Sequence, residues 1–189
     1  YLIKVKKNIP QKSGMGGGSM NAACVLKHLM KRKIVNISDK KAKDLVLKVG
    51  ADVVLGLEKK NSILFKSGKI VRLNNKLNFH VLIVMPKFGC STRYIFSRVK
   101  KFSKPLYFNG YKSFFRTNNL VQSNNDLESI VFKKYPKIKN LKYFLSNLPN
   151  AVFARMTGTG SAVVAYFKSK NDVKNAEKIF KSKYKSYWY

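Results

Sequence analysis

The chain has 189 residues, of which 45% are hydrophobic and 13% aromatic, so it is not a disordered tail and can form one large domain or two small ones. The formal net charge of +31 first indicates a surface for nucleic acid or for an anionic membrane. However, lysines far outnumber the six arginines and are spread along the whole sequence. We therefore interpret the charge as a solvated lysine coat, and we expect neither a specific nucleic-acid partner nor a membrane partner.

The two cysteines, Cys24 and Cys90, lack the CxxC or histidine spacing of a zinc site, and we predict free, buried or inert thiols in a reducing compartment. No apolar run reaches transmembrane length and no signal-peptide pattern is present, so a cytoplasmic location is expected. His28 and His80 have no partner at metal-ligand spacing and receive no role. The oligomeric state cannot be inferred from these features.

The first elements in chain order are a strand, a glycine loop and a helix. Apolar residues alternate with lysines over residues 1–9, which predicts a strand. Residues 10–23 read P-Q-K-S-G-M-G-G-G-S-M-N-A-A, and four of the eleven glycines lie within five positions there. Apolar residues at helical spacing follow, at Ala22, Ala23, Val25, Leu26, Leu29 and Met30. This order predicts a phosphate-binding loop at a helix N-terminus, although a flexible turn is the simpler alternative. The spacing matches neither a P-loop nor a dinucleotide fingerprint.

The rest of the chain alternates short strands and helices. Ser38 and Asp39 are predicted to cap a helix that ends at Gly50, and G-A-D-V-V-L-G follows at 50–56. A strand pair is expected at 63–65 and 69–73, turned at Ser67 and Gly68. The later predictions are a polar domain junction at 74–78, a buried strand at 79–85, helices at 91–99, 126–132, 138–148 and 172–180, and a strand–glycine turn–strand unit at 151–167. The stretch 102–125 receives no prediction.

Four motifs follow the opening K-N-I-P: G-M-G-G-G-S-M-N-A-A, G-A-D-V, N-D-L-E at 125–128 and M-T-G-T-G-S-A at 156–162. In this order they resemble the motifs of the GHMP kinases over nearly the whole chain. The resemblance implies an α+β protein with a truncated N-terminal ATP-binding domain like ribosomal protein S5 domain 2 at 1–75, and a ferredoxin-like C-terminal domain at 76–189. It also implies the cofactors ATP and Mg²⁺, and phosphorylation of the 2-hydroxyl of 4-diphosphocytidyl-2-C-methyl-D-erythritol in the non-mevalonate isoprenoid pathway.

The resemblance further implies roles for individual residues. Asp52 corresponds to the catalytic aspartate, and Ser67, Gly68, Thr92 and Phe96 correspond to the substrate side, where Phe96 stacks on cytosine. Gly158 and Gly160 correspond to a third glycine motif that packs near the phosphate loop. The positions that correspond to ATP-binding residues are Lys7, Pro10, Gln11, Lys12, Ser13, Gly14, Met15, Gly16, Gly17, Gly18, Ser19 and Met20.

The residues themselves leave other interpretations open. Asp52 is one of only eight acidic residues and has apolar neighbours, so we expect a partly desolvated base, but a cap or a turn carboxylate after Gly50 fits the same pattern. Phe96 fits a core position on a helix face almost as well as a stacking position. Gly158 and Gly160 fit a simple hairpin turn.

Three departures separate this chain from the family pattern. Val54 stands where the family has proline, which removes a restraint on φ. Met20 stands where relatives have a serine hydroxyl near phosphate and Mg²⁺, and a thioether does not replace a hard oxygen ligand, so no metal-binding residue is named. The A-K-x-N-like and D-G-Y-H-like motifs have no counterpart ahead of Tyr1. We therefore expect this chain to be a fragment that is inactive as given.

Other functions remain open at this point. The first is another GHMP kinase with a different alcohol substrate. The others are a decayed kinase and a basic RNA-binding module, because S5-like and ferredoxin-like domains also occur in RNA-binding proteins.

Overall fold

The structure is a computed structural model that describes residues 2–74, 77–104 and 110–189. The described residues divide into two compact units. The helical unit comprises the described residues of 16–76 and 109–113, and the sheet unit comprises those of 1–15, 77–108 and 114–189. The predicted boundary between residues 75 and 76 lies outside the described residues, so the domain assignment stays a prediction.

The helical unit contains two α-helices, a 3₁₀ helix and a hairpin. Its elements are α1 (Gly17–Lys31), α2 (Asp39–Val49), the 3₁₀ helix (Ala51–Leu57), β1 (Asn61–Leu64) and β2 (Ile70–Leu73). Ser38 caps α2 by accepting a hydrogen bond from the Lys41 amide at 3.3 Å, as its position before the apolar pattern predicts. The β1–β2 pair is antiparallel and turns at Gly68, whose φ of 79° favours glycine.

The core of the helical unit lies where α1, α2 and the 3₁₀ helix meet. Its buried side chains are Ala23, Leu26, Ala42, Val46, Val53 and Val54. Small residues at 23 and 42 let the elements approach closely, and the 3₁₀ helix packs directly on α1. Val54, where the resemblance led us to expect a proline, is fully buried in this core.

The sheet unit has a three-stranded antiparallel sheet covered by helices. Its elements are β3 (His80–Val84), α3 (Thr92–Ser97), α5 (Thr117–Gln122), α6 (Glu128–Lys134), α7 (Pro136–Ser146), β4 (Phe153–Met156), β5 (Val163–Phe167) and α8 (Lys170–Lys183), while α4 (Tyr111–Phe114) has residues in both units. The strand order is β3-β5-β4. β5 occupies the centre, and the core that α6, α7 and α8 form on it includes Phe167 and Phe180, which are fully buried.

The predicted α+β class is confirmed, and most of the predicted elements are present within a few residues of their expected ends. The strand at 79–85 is only half-buried, because Val81 is exposed on β3 at the edge of the sheet. The unassigned stretch contains α4 and α5 among its described residues. Arg155 anchors α5 by donating hydrogen bonds to the carbonyls of Leu120, at 2.6 Å, and Ser123. No helix among the described residues is long and apolar enough to cross a membrane.

The predicted N-terminal strand is wrong for residues 2–9, and Tyr1 lies outside the described residues. Leu2 and Val5 are exposed, at 83% and 50% of their surface. Alternation alone does not form a strand, because the backbone amides and carbonyls need a neighbouring strand. Within the described part of the chain, no strand pairs with this segment.

The contact between α1 and the 3₁₀ helix predicts a sharp effect of Gly56→Ala. A Cβ atom at Gly56 would lie 2.6 Å from the Ala23 Cβ and 3.1 Å from the Met20 Sδ. We expect a loss of about 1–3 kcal/mol in the free energy of unfolding, measured by denaturant titration. Gly18→Ala is the matched control, because its added Cβ would meet no described heavy atom within 4 Å beyond its chain neighbours and the backbone of α1, and it should be neutral or stabilising. Equal losses in both variants would contradict the packing explanation.

Candidate functional site

The N-terminus of α1 presents the glycine-rich part of the predicted phosphate loop. Gly16 precedes the helix with a φ of 64°, no side chain caps the helix and no acidic residue lies in its first turn. Apart from chain neighbours and the backbone of α1 itself, no heavy atom of the described residues lies within 4 Å of a Cβ built at Gly16 or Gly18, so this backbone is open to close approach. Amide donors and the partial positive charge of a 15-residue helix suit an anionic group, and no side chain competes for this end. The geometry therefore fits a phosphate.

Residues 10–15, the first half of the same loop, belong to the sheet unit and pack against the turn between β4 and β5. The Thr157 hydroxyl donates to the Gly14 carbonyl at 2.5 Å, and the Ala162 amide donates to the Ser13 carbonyl at 3.1 Å. A Cβ at Gly14 would lie 2.1 Å from the Thr157 carbonyl oxygen, so only glycine permits this contact. The expected packing of the third glycine motif near this segment is thus present, with Gly158 at the contact and Gly160 in the same turn.

A second loop, at residues 88–90, also contacts this segment. The Cys90 amide donates to the Lys12 carbonyl at 3.2 Å, and a Cβ at Gly89 would lie 2.4 Å from the Lys12 Cβ. The Ser161 hydroxyl, which is fully buried, donates to the Phe88 carbonyl. Backbone contacts of this kind hold the main chain of residues 12–14 in one conformation.

The predicted substrate-side residues Thr92 and Phe96 lie on α3. Ser91 caps this helix by accepting from the Tyr94 amide at 3.3 Å. The Thr92 hydroxyl lies 3.1 Å from the hydroxyl of Thr159 in the β4–β5 turn, and Thr159 is only 8% exposed. Phe96 is 52% exposed, so the interpretation as a core aromatic is wrong: Ile95 faces the core instead. An exposed ring is available to stack on a planar ligand.

Asp52 lies in the first turn of the 3₁₀ helix, in the helical unit. The expectation that its apolar neighbours desolvate it is wrong, because Val53 and Val54 turn into the core while Asp52 is exposed. Its role as a base is not tested by this geometry and stays a prediction. The backbone carbonyls of its helix, however, accept hydrogen bonds from a side chain distant in sequence.

The residue that bonds to these carbonyls is Arg72, which was not among the residues predicted from the sequence. Its guanidinium donates to the carbonyl of Val54 at 2.6 Å and to that of Leu55 at 3.2 Å. It also donates to the Ser62 hydroxyl at 2.7 Å, and its side chain is 13% exposed. Carbonyls near a helix C-terminus carry partial negative charge, so a guanidinium fork suits them. An arginine on a short strand gave no signal of this contact, because its acceptors are backbone atoms far away in sequence.

Glu58 completes the arrangement beyond the end of the 3₁₀ helix. Its carboxylate lies 3.2 Å from the Lys60 ammonium and 3.5 Å from the Arg72 guanidinium. The hydrogen bond from Lys60, reinforced by the charge of Arg72, lowers the pKa of Glu58 against the opposing effect of burial. The carboxylate is 37% exposed, so its contribution to stability is small.

The remaining predicted residues are more dispersed. Ser67 and Gly68 form the β1–β2 turn in the helical unit, whereas Thr92 and Phe96 belong to the sheet unit. Lys7 is exposed in the segment before the loop. Met20 is 38% exposed and directs its thioether toward Gly56. Among the described residues, no group of three or more His, Cys, Asp or Glu side chains could hold a metal ion.

Comparison with known proteins identifies the class of protein. The protein-family model described as GHMP kinases N terminal domain matches residues 1–59. The family model described as GHMP kinases C terminal matches residues 111–186. A solved 4-(cytidine 5'-diphospho)-2C-methyl-D-erythritol kinase resembles the fold with a TM-score of 0.78 at 22% identity, covering 97% of this chain and 67% of that chain. A solved homoserine kinase from Cytophaga hutchinsonii has a TM-score of 0.59 at 13% identity, covering 93% and 63%.

Two of the sequence relatives carry the same kinase name. The chain is 44% identical to the 4-diphosphocytidyl-2-C-methyl-D-erythritol kinase of Pelagibacter ubique, over 100% of this chain and 67% of the relative. It is 34% identical to the kinase of the same name from Clostridium perfringens strain SM101, over 97% and 66%. The chain belongs to the GHMP kinase family, and it spans about two thirds of the length of these relatives.

The two hydrogen bonds from the Arg72 guanidinium to backbone carbonyls predict that Arg72→Met destabilises the folded protein. Removing the guanidinium leaves the carbonyls of Val54 and Leu55 without their charged donor, so we expect a loss of about 2 kcal/mol in the free energy of unfolding. Hydrogen exchange should also quicken in the amides of residues 51–57. Glu58→Gln is the control and should cost less than about 1 kcal/mol, because that ion pair is partly exposed. Equal costs would show that the ion pair, not the fork, stabilises the helix.

The two free cysteines should differ in reactivity. Burial raises the pKa of the Cys90 thiol to about 11, against a smaller opposing effect of Lys134, so the thiol stays protonated at pH 8. Cys24 is exposed. Iodoacetamide at pH 8, followed by mass spectrometry, should modify Cys24 in the folded protein and Cys90 only after denaturation. Modification of folded Cys24→Ser protein at Cys90 would contradict this.

Proposed function

We propose that this protein acts in an ATP-dependent transfer of the γ-phosphoryl group to the 2-hydroxyl of 4-diphosphocytidyl-2-C-methyl-D-erythritol, a step of non-mevalonate isoprenoid synthesis. The observation that carries the proposal is the uncapped, glycine-lined N-terminus of α1, which packs in one unit with the 3₁₀ helix that bears Asp52. The names of the relatives at 44% and 34% identity favour this alcohol over that of homoserine kinase.

The phosphate loop supplies binding and charge stabilisation. In this proposal residues 10–20 surround the ATP phosphates, with the first amides of α1 donating to phosphate oxygens. Phosphoryl transfer is accelerated mostly by positioning and by neutralising charge on the transferred group, so backbone donors held in place are effective. Lys7 adds a positive charge beside the nucleotide. The lysine-rich surface increases the rate at which anionic substrates arrive.

Asp52 is the proposed base. Its carboxylate accepts the proton of the substrate hydroxyl while the hydroxyl oxygen bonds to the γ-phosphorus and the bond to the ADP oxygen breaks. Exposure of Asp52 lets a substrate hydroxyl reach it, and the Arg72 fork holds the backbone of its helix. Ser67, Gly68, Thr92 and Phe96 are the proposed contacts for the cytidine-bearing alcohol.

Mg²⁺ would arrive with ATP. The described residues form no metal-binding cluster, and the thioether of Met20 packs toward Gly56, so phosphate oxygens and water are the proposed ligands. When bound, the ion neutralises charge on the β- and γ-phosphates.

Asp52→Asn tests the proposal in the protein expressed from its complete reading frame. We expect kcat for phosphorylation of the cytidine-bearing alcohol to fall by about 10²–10⁴-fold, with a small change in the KM for ATP. The matched control is Asp44→Asn, an exposed aspartate on α2, which should leave kcat unchanged. Wild-type protein that phosphorylates homoserine or mevalonate but not this alcohol would redirect the proposal to another GHMP substrate. Protein inert toward all three would refute the proposal.

A further inference from the structure

The β4–β5 turn contacts two segments to which the proposed function gives different ligands. Thr157 and Thr159 are two residues apart in M-T-G-T-G-S-A and use their hydroxyls in different directions. Thr157 donates to the carbonyl of Gly14, in the phosphate loop, at 2.5 Å. Thr159 pairs with the hydroxyl of Thr92, on the substrate-side helix α3, at 3.1 Å. The predictions from sequence concerned only Gly158 and Gly160 of this motif.

The contact with the phosphate loop is rigid because it is formed largely by backbone. A Cβ at Gly158 would lie 2.8 Å from the Gly14 carbonyl oxygen, and one at Gly14 would lie 2.9 Å from the Gly160 amide nitrogen. The Thr157 hydroxyl is the side-chain donor at this contact. Removing it leaves the shape of the contact but releases the Gly14 carbonyl.

The contact with α3 is of a different kind. Thr92 is exposed, whereas Thr159 is buried in the β4–β5 turn. A buried hydroxyl at hydrogen-bond distance selects one orientation of its exposed partner. Thr159 therefore orients Thr92.

The N-D-L-E motif holds the turn itself. The Asn125 amide donates to the carbonyls of Met156, at 2.9 Å, and Gly158, at 2.8 Å, while its oxygen accepts from the Leu127 amide. Glu128 accepts from the Met156 amide at 2.9 Å. Hydrogen bonds thus join Met156 and Gly158 to Asn125 and Glu128, at the start of α6.

We infer that Thr157 and Thr159 are positioning residues with separate tasks, and the inference rests on the proposed function. Thr157 positions the ATP-phosphate segment, and Thr159 positions the residue that contacts the cytidine-bearing alcohol. Asn125 fixes the turn that carries both. The turn is a shared support through which the two binding segments keep a constant geometry.

The test is a pair of near-isosteric variants, Thr157→Val and Thr159→Val, in the protein from its complete reading frame. Thr157→Val should raise the KM for ATP about fivefold to tenfold and leave the KM for the alcohol within about twofold. Thr159→Val should show the reverse. Thr157→Ser and Thr159→Ser keep the hydroxyl and should stay within about twofold of wild type in both constants. Asn125→Ala should raise both constants together.

The outcomes separate this inference from the proposed function. If wild type turns over but each valine variant changes both constants equally, or neither, the inference is wrong. Serine variants as impaired as the valine variants would also overturn it, because the hydroxyls would not be responsible. Calorimetric titration with ADP gives a readout without turnover: weaker binding in Thr157→Val alone supports the inference. Wild type that neither turns over nor binds ADP refutes the proposed function, and the inference with it.

Discussion

The close approach of Gly14 to the β4–β5 turn is the contact on which most of the proposed site depends. A side chain at residue 14 or 158 would place a Cβ within 3 Å of opposing backbone, so both positions require glycine for space as well as for positive φ. Backbone packed on backbone leaves little freedom, and the hydroxyl of Thr157 and the amide of Ala162 reinforce it. Residues of the predicted phosphate loop up to Met15 belong to the sheet unit, and α1 begins two residues later.

In the helical unit, small residues and one arginine restrain the backbone of the 3₁₀ helix. Gly56 lets the 3₁₀ helix pack on α1, and Val53 and Val54 fill the core beneath it. Arg72 reaches from β2 to the carbonyls of Val54 and Leu55. Asp52 thus lies exposed on a helix that is anchored by the core on one side and by a guanidinium at its end, which suits its proposed role as a base.

The predictions from sequence were correct where the stabilising interactions act within a few residues, and wrong where they depend on residues far away in the chain. Ser38 with Gly50, and the turn at Gly68, predicted α2 and the β1–β2 hairpin correctly because capping and turn chemistry act within a few residues. The strand at 2–9 failed because pairing needs a partner that alternation cannot reveal. The desolvation of Asp52 and the core position of Phe96 failed because burial depends on which side of a short helix faces the core.

By itself the sequence determined the α+β class, most helices and strands outside residues 2–9 and 102–125, and the membership of the GHMP kinase family, since these depend on local pattern and on motif order. Only the tertiary structure decided that hydroxyls of Thr157 and Thr159 meet Gly14 and Thr92, residues 143 and 67 positions away. It also decided that Arg72 holds the helix of Asp52. The physical reason is that many acceptors of these hydrogen bonds are backbone carbonyls, which every residue carries. No residue pattern therefore identifies the bonded pairs before the chain has folded.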